Sequence, residues 1–372
     1  MSDNAKAVEV SSVSKSVKKR NFYMDVMRVV SCLLILCGHC TAFNWEDAVP
    51  SSTTYEILNI NDNIFAMGVP LFIMMSGALH LNENYKLTIK NLLVKKVLRM
   101  LTTYYGWLLY YNIIKFASYH LPWTFANIKF HIFGQLVRGN GIYHLWFLPK
   151  IVLMYFITPL IKDSLKNKKI CEYCLILYTV FIIFIPTMFA IGFPGKDWIE
   201  FNFDTATYMA VTSTIGYMAY YILGHYAHSF IGPLNKLQLA LCYIGFIGSI
   251  GIATILGSVR TAASGVADVT FINPLYIFEF VAGFCLFLLF KEWCRKAEDK
   301  ETPKWIPEVG KLTFGIYLFH PTILMQAPKF NISMIEPTPL LMVPLTAIVL
   351  FTLSGLVSWV LNKIPVVNKW LL

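Results

Sequence analysis

The sequence predicts an all-α, polytopic membrane protein with about ten transmembrane helices, and three observations carry that reading. Of 372 residues, 56% are hydrophobic and only 14% charged, where a soluble domain carries about 25% charged residues. The apolar residues recur as stretches of roughly 20, the length that spans a bilayer as a helix. The charges gather in short clusters between those stretches. Composition also excludes a disordered chain, a collagen and a disulfide-stapled secreted fold.

Ten stretches satisfy the length rule: 24–43, 60–81, 98–118, 143–161, 170–191, 207–227, 237–257, 271–290, 310–328 and 340–362. The first is the least apolar, because Asp25 and Arg28 interrupt it and its uninterrupted centre is only Val29 to Cys37. A cleavable signal peptide with Lys18, Lys19 and Arg20 as its basic region is the alternative. No small-x-small cleavage pattern follows, so the segment reads as a span. Residues 1–20 form a polar tail without periodicity, expected to be disordered in the cytoplasm. No internal repeat of the kind found in inverted-repeat transporters is visible.

The net charge of +10 would suit a nucleic-acid partner, but its distribution does not. Basic residues cluster at Lys15–Arg20, Lys86–Arg99, Lys162–Lys169 and Lys291–Lys311. With the N-terminus inside, 23 of the 31 Lys and Arg fall on the inner side, seven near the outer side, and Arg28 within a span. That asymmetry is the one the positive-inside rule produces, and it places both termini in the cytoplasm.

Ionisable residues within a membrane are costly and mark function. The first span carries Asp25, Arg28 and His39. Asp25 and Arg28 are three apart and can pair on one helix face. Arg28 and His39 are eleven apart, which leaves them about 20° apart around the axis and roughly 16 Å along it. One face thus presents a cation toward the inner side and an imidazole, the usual general base near neutral pH, toward the outer side. The structural alternative is a helix-end histidine bonded to a carbonyl, with Arg28 snorkelling to the interface. Cys37-Gly-His-Cys40 has redox-motif spacing but lacks the surrounding βαβ pattern, and Cys171-x-x-Cys174 lacks a second ligand pair for zinc.

Several segments, in order along the chain, resemble the acyltransferase-3 family of polytopic membrane enzymes: Arg28-x10-His39; Gly68-Val-Pro-Leu-Phe-Ile-Met-Met-Ser76-Gly77; Lys96-Val-Leu-Arg99; His144-Leu-Trp-Phe-Leu leading to Tyr155-Phe-Ile-Thr-Pro159; and Phe314-Gly-Ile-Tyr-Leu-Phe-His320-Pro321. The resemblance implies one acyltransferase domain over 21–372. It implies transfer of an acyl group, usually acetyl from acetyl-CoA, to a hydroxyl of a cell-surface glycan or its lipid-linked precursor. The stand-alone O-acetyltransferases of bacterial surface polysaccharide are the members it looks most like, which implies the bacterial cytoplasmic membrane. The chain ends soon after the tenth span, so no fused extracytoplasmic domain is expected. No metal is expected, and thioester chemistry needs none.

For the donor, Lys95, Lys96 and Arg99 cluster beside a span start where cytoplasmic CoA phosphates would arrive; membrane topology alone also accounts for Lys95. Lys96 stands where the motif usually has arginine and binds phosphate as a point charge. His39 is expected to deprotonate the acceptor hydroxyl for direct attack, or to carry the acyl group transiently. Glu279, placed mid-span as the lone carboxylate deep in an apolar run, either orients His39, binds a sugar hydroxyl, or packs against a cation. His320 is either a second site residue or a hydrogen-bonded helix interrupter before Pro321. Tyr143, His144 and Trp146 are expected to line the acceptor side, although interfacial Tyr and Trp need no ligand. Ser76-Gly77 reads as a close helix-packing point. A transporter or flippase of a polysaccharide intermediate is the rival from another class, and a structural membrane partner a third.

Overall fold

A computed structural model describes residues 21–43, 45, 48–85, 88–120, 122–139, 143–192, 205–295, 297 and 303–372. The tail 1–20 lies outside the described residues. Among the described residues the chain is helical throughout, with no strand. The long helices are α1 (Phe22–Ala42), α2 (Thr53–Phe65), α3 (Gly68–His80), α4 (Leu98–Ser118), α5 (Phe147–Ile161), α6 (Lys168–Ile191), α7 (Thr205–Ser229), α8 (Lys236–Ser264), α9 (Ile277–Arg295), α10 (Trp305–Leu324) and α11 (Pro339–Asn362). Each of the ten expected stretches overlaps one or two of these helices. Six segments are long and apolar enough to cross a membrane by length and composition: Phe22–Ala42, Thr53–His80, Phe125–Ile161, Lys168–Ile191, Lys236–Ser264 and Pro339–Asn362.

Several boundaries differ from expectation, two of them for a clear local reason. The segment expected at 60–81 begins at Thr53 and breaks into α2 and α3 around Ala66 and Met67. Ser52 caps its start by accepting from the Tyr55 amide at 3.1 Å. The polar stripe Tyr55, Glu56, Asn59 then finds partners on α8. Tyr55 Oη meets Thr261 Oγ1 at 2.6 Å, Asn59 Nδ2 donates to the Thr254 carbonyl at 3.0 Å, and Ser258 Oγ donates to Glu56 at 2.5 Å. Tyr55 and Asn59 are thereby buried, and Glu56 half-buried, with bonds made to α8.

The stretch expected at 271–290 is helical only from Ile277 to Arg295, because Asn273-Pro274 forms a turn in which Asn273 Oδ1 accepts from the Leu275 amide at 3.0 Å. Glu279 therefore sits in the first turn of α9 rather than mid-span. The stretch expected at 310–328 runs from Trp305 to Leu324 and continues through Pro321.

Small residues let the helices close on one another. Gly77 of α3 lies against the Tyr221 carbonyl of α7, and Gly224 of α7 lies against the Met74 carbonyl of α3, leaving no room for a Cβ at either position. Ser76 Oγ donates to the Phe72 carbonyl at 3.0 Å, within its own helix. α1 and α10 run in the same direction: Cys32 Sγ donates to the Thr313 carbonyl at 3.6 Å, and seven residues further on each helix His39 meets His320. That parallel pair positions the site.

Candidate functional site

The C-terminal end of α1 holds a cluster of histidines. The His39 ring stacks on that of His320 with centroids 5.1 Å apart and planes 17° apart. His144 approaches His320 edge-on at 5.5 Å, and Tyr143 approaches His39 at 4.9 Å. Tyr143, His144 and Trp146 reach this point together because they form one 3-10 turn at the start of α5. The turn is pinned by the Tyr317 hydroxyl, which donates to the His144 carbonyl, while Tyr111 of α4 donates to the Leu318 carbonyl at 2.6 Å. Among the described residues no hydrogen bond engages the His39 imidazole, so the carbonyl-bonded alternative does not describe it. A cavity of about 190 Å³ opens beside it, lined by His39, Asp62, His144, Trp146, Tyr217 and Tyr317 among others.

Asp62 is the residue that sequence reading missed. It is buried on α2, its Oδ2 accepts from Trp45 Nε1 at 2.6 Å, and its other oxygen lies beside Gly38 of α1. The signal was present as Asn59-Ile-Asn-Asp62-Asn63, a polar run at the head of an apolar stretch. Glu279 is fully buried, and among the described residues neither carboxylate oxygen has a hydrogen-bond partner. Asp62 is the ionisable group whose field reaches it, and it acts in turn on Tyr220. Asp25 and Asp62 are buried carboxylates as well.

The N-terminal end of α1 faces a second cavity, of about 850 Å³, lined by Met24, Asp25, Arg28, Asn82, Asn84 and Tyr85 among others. Arg28 pairs with Asp25 at 3.2 Å, the i,i+3 contact expected from the spacing. Lys96 stands just before α4 in the π-helical turn Leu93–Val97. Burial, then the neighbouring Arg99 and Arg28 cations, hold its ammonium below the ordinary lysine range. Arg28, Lys96 and Arg99 thus converge from two parts of the chain. Arg99 Nη2 donates to the Asn368 carbonyl at 3.3 Å, and its Nε is buried with no partner among the described residues. Lys95 is exposed and is not among the groups that perturb Lys96.

Such a cluster of cations with a buried, unpaired guanidinium nitrogen fits an anionic group, and the cavity that Arg28 lines is in the size range of small-molecule sites. No group of three or more His, Cys, Asp or Glu side chains among the described residues is placed to hold a metal ion. The parallel rings of His39 and His320 do not converge their nitrogens on one point. All eight cysteines are free.

Comparison with known proteins matches the chain to one family model, described as an acyltransferase domain, over residues 21–363. No curated protein and no solved structure matches. The matched region contains both cavities and every residue of the two clusters, and it spans nearly the whole sequence: the chain belongs to the acyltransferase-3 family.

Proposed function

We propose that the protein is a ten-span bacterial O-acyltransferase that moves an acyl group, acetyl by the family default, from cytoplasmic acyl-CoA to a hydroxyl of a cell-surface glycan or its lipid-linked precursor. One observation carries the reading: a single helix, α1, presents Arg28 to a large cavity near a cation cluster at one end and His39 to a smaller aromatic-walled cavity at the other. The excess of basic residues on the Arg28 side supports a cytoplasmic position for that end, with both termini inside.

In this reading Lys96, Arg99 and Arg28 hold the phosphates of the coenzyme. The pantetheine arm then lies along α1 toward His39. His39 takes the proton of the acceptor hydroxyl as its oxygen forms a bond to the thioester carbonyl carbon. The carbon–sulfur bond breaks, and the departing thiolate receives the proton from the His39 imidazolium. Atoms and charge balance without any metal. Trp146 and Tyr217 offer apolar faces to a sugar ring, and Asp62 offers an acceptor to its other hydroxyls.

Purified protein in nanodiscs with acetyl-CoA tests this, with binding read by calorimetry and slow thioester cleavage by thiol release. His39→Ala is expected to bind as wild type does and to lose cleavage. Failure of well-folded wild type to bind acetyl-CoA would sink the reading and direct attention to flipping of a lipid-linked sugar.

A further inference from the structure

His320 lies one residue before a proline that sits inside a helix. Proline has no amide hydrogen, so the carbonyl four residues back loses its helical donor. That carbonyl belongs to Tyr317, and His320 Nδ1 lies 2.7 Å from its oxygen. A carbonyl only accepts, so Nδ1 must carry the proton and Nε2 must present a lone pair. The sequence His320-Pro321 thereby fixes a tautomer: the proline opens a vacancy in the helix ladder and the preceding imidazole fills it.

The other end of the ring has no such partner. His320 is fully buried, and Nε2 has no hydrogen-bond partner among the described residues. An acceptor left unpaired inside a protein costs stability unless something donates to it. The ring stacks on His39 and meets His144 edge-on, and those two histidines line the 190 Å³ cavity. The stacked geometry leaves Nε2 unable to bond to His39 in line.

We infer that His320 is a second substrate-contacting residue of the reaction proposed above, whose Nε2 accepts a hydrogen bond from an O–H or N–H donor on a bound substrate, held in that state by Pro321. The donor is either the acceptor hydroxyl or an amide N–H of the pantetheine arm. In the first case the lone pair orients the hydroxyl for proton transfer to His39, and in the second it fixes the thioester beneath it. The inference rests on the acyltransferase reading for the identity of the substrate, but the tautomer does not.

The test uses the full chain in nanodiscs. Asparagine places an N–H where Nδ1 lies, so His320→Asn keeps the bond to the Tyr317 carbonyl and removes Nε2. It is expected to melt with wild type while acetyl-CoA-dependent thiol release falls by about 100-fold. Unchanged affinity for acetyl-CoA assigns the donor to the hydroxyl; an affinity weakened about tenfold assigns it to the pantetheine amide. Wild-type turnover and affinity in a folded His320→Asn protein would overturn the inference and leave the ring as a helix cap only. Selective nitrogen-15 labelling of histidine supplies a readout independent of activity. The ring whose signals vanish in His320→Asn should show a protonated Nδ1 and an unprotonated Nε2 in wild type, and that signature should weaken in Pro321→Ala, where an amide again competes for the carbonyl. An Nε2-protonated His320 ring in wild type would overturn the tautomer assignment even if the enzyme is active. Wild type that shows the tautomer but releases no thiol would instead fault the proposed function.

Discussion

At the residue scale the cation cluster makes the sharpest demands. Lys96 shares its surroundings with Arg99 and Arg28, and its partly buried ammonium is held below the ordinary lysine range. A bound phosphate would relieve that repulsion, so Arg99→Ala should weaken acyl-CoA binding about tenfold or more, measured by calorimetry, with the melting temperature little changed. The sign of the pH effect follows from the direction of the shift. Lys96 binds phosphate only when protonated, and its lowered pKa starts the loss of charge at a lower pH than for a free lysine, about 10.4. Affinity for acyl-CoA should therefore decline as pH rises through the alkaline range, and Lys96→Arg, which stays charged, should flatten that decline. An identical pH profile in the two proteins would remove Lys96 from the donor site. On the other side, Asp62→Asn keeps the bond from Trp45 and removes an ionisable group from the cavity wall. It should leave acetyl-CoA binding intact while altering the KM for the acceptor.

At the scale of elements, close backbone approach decides which helices can neighbour one another. Gly77 and Gly224 each face a carbonyl of the opposing helix, so a side chain at either position has to push α3 and α7 apart. Gly77→Val should destabilise the protein by roughly 3 kcal/mol or more, and a thermal shift in detergent reads it. Gly251 of α8 meets nothing within 4 Å of its would-be Cβ, so Gly251→Ala is the matched control and should be neutral or slightly stabilising. The polar stripe of α2 follows the same logic. Its partners on α8 were invisible in a single sequence because hydropathy scores a residue without its neighbours. The helix began seven residues before the expected stretch for that reason. The turn at Asn273-Pro274 moved α9 the other way, and with it Glu279 from a central position to the first turn.

At the scale of the whole molecule, α1 joins the two cavities, and the proposed reaction needs them on opposite sides of a membrane. Single cysteines introduced at Val49, in the α1–α2 connection, and at Asn167, before α6, should distinguish the sides. A membrane-impermeant thiol reagent is expected to reach Val49→Cys in intact cells and Asn167→Cys only after permeabilisation; the reverse pattern would overturn the donor-side assignment. The sequence by itself determined the helical membrane class, the approximate place of each long helix, and the placing of Arg28 and His39 on one face, because hydrophobicity and the 3.6-residue period are local properties. Only the tertiary structure decided what meets across helices. His320, 281 residues from His39, stacks on it. Asp62 borders the His39 cavity, and its field reaches the buried Glu279. Lys96 and Arg99 converge with Arg28 while Lys95 is exposed. Those meetings depend on which helices pack and at what height, and packing is set by the shapes of surfaces distant in sequence, which no local pattern records.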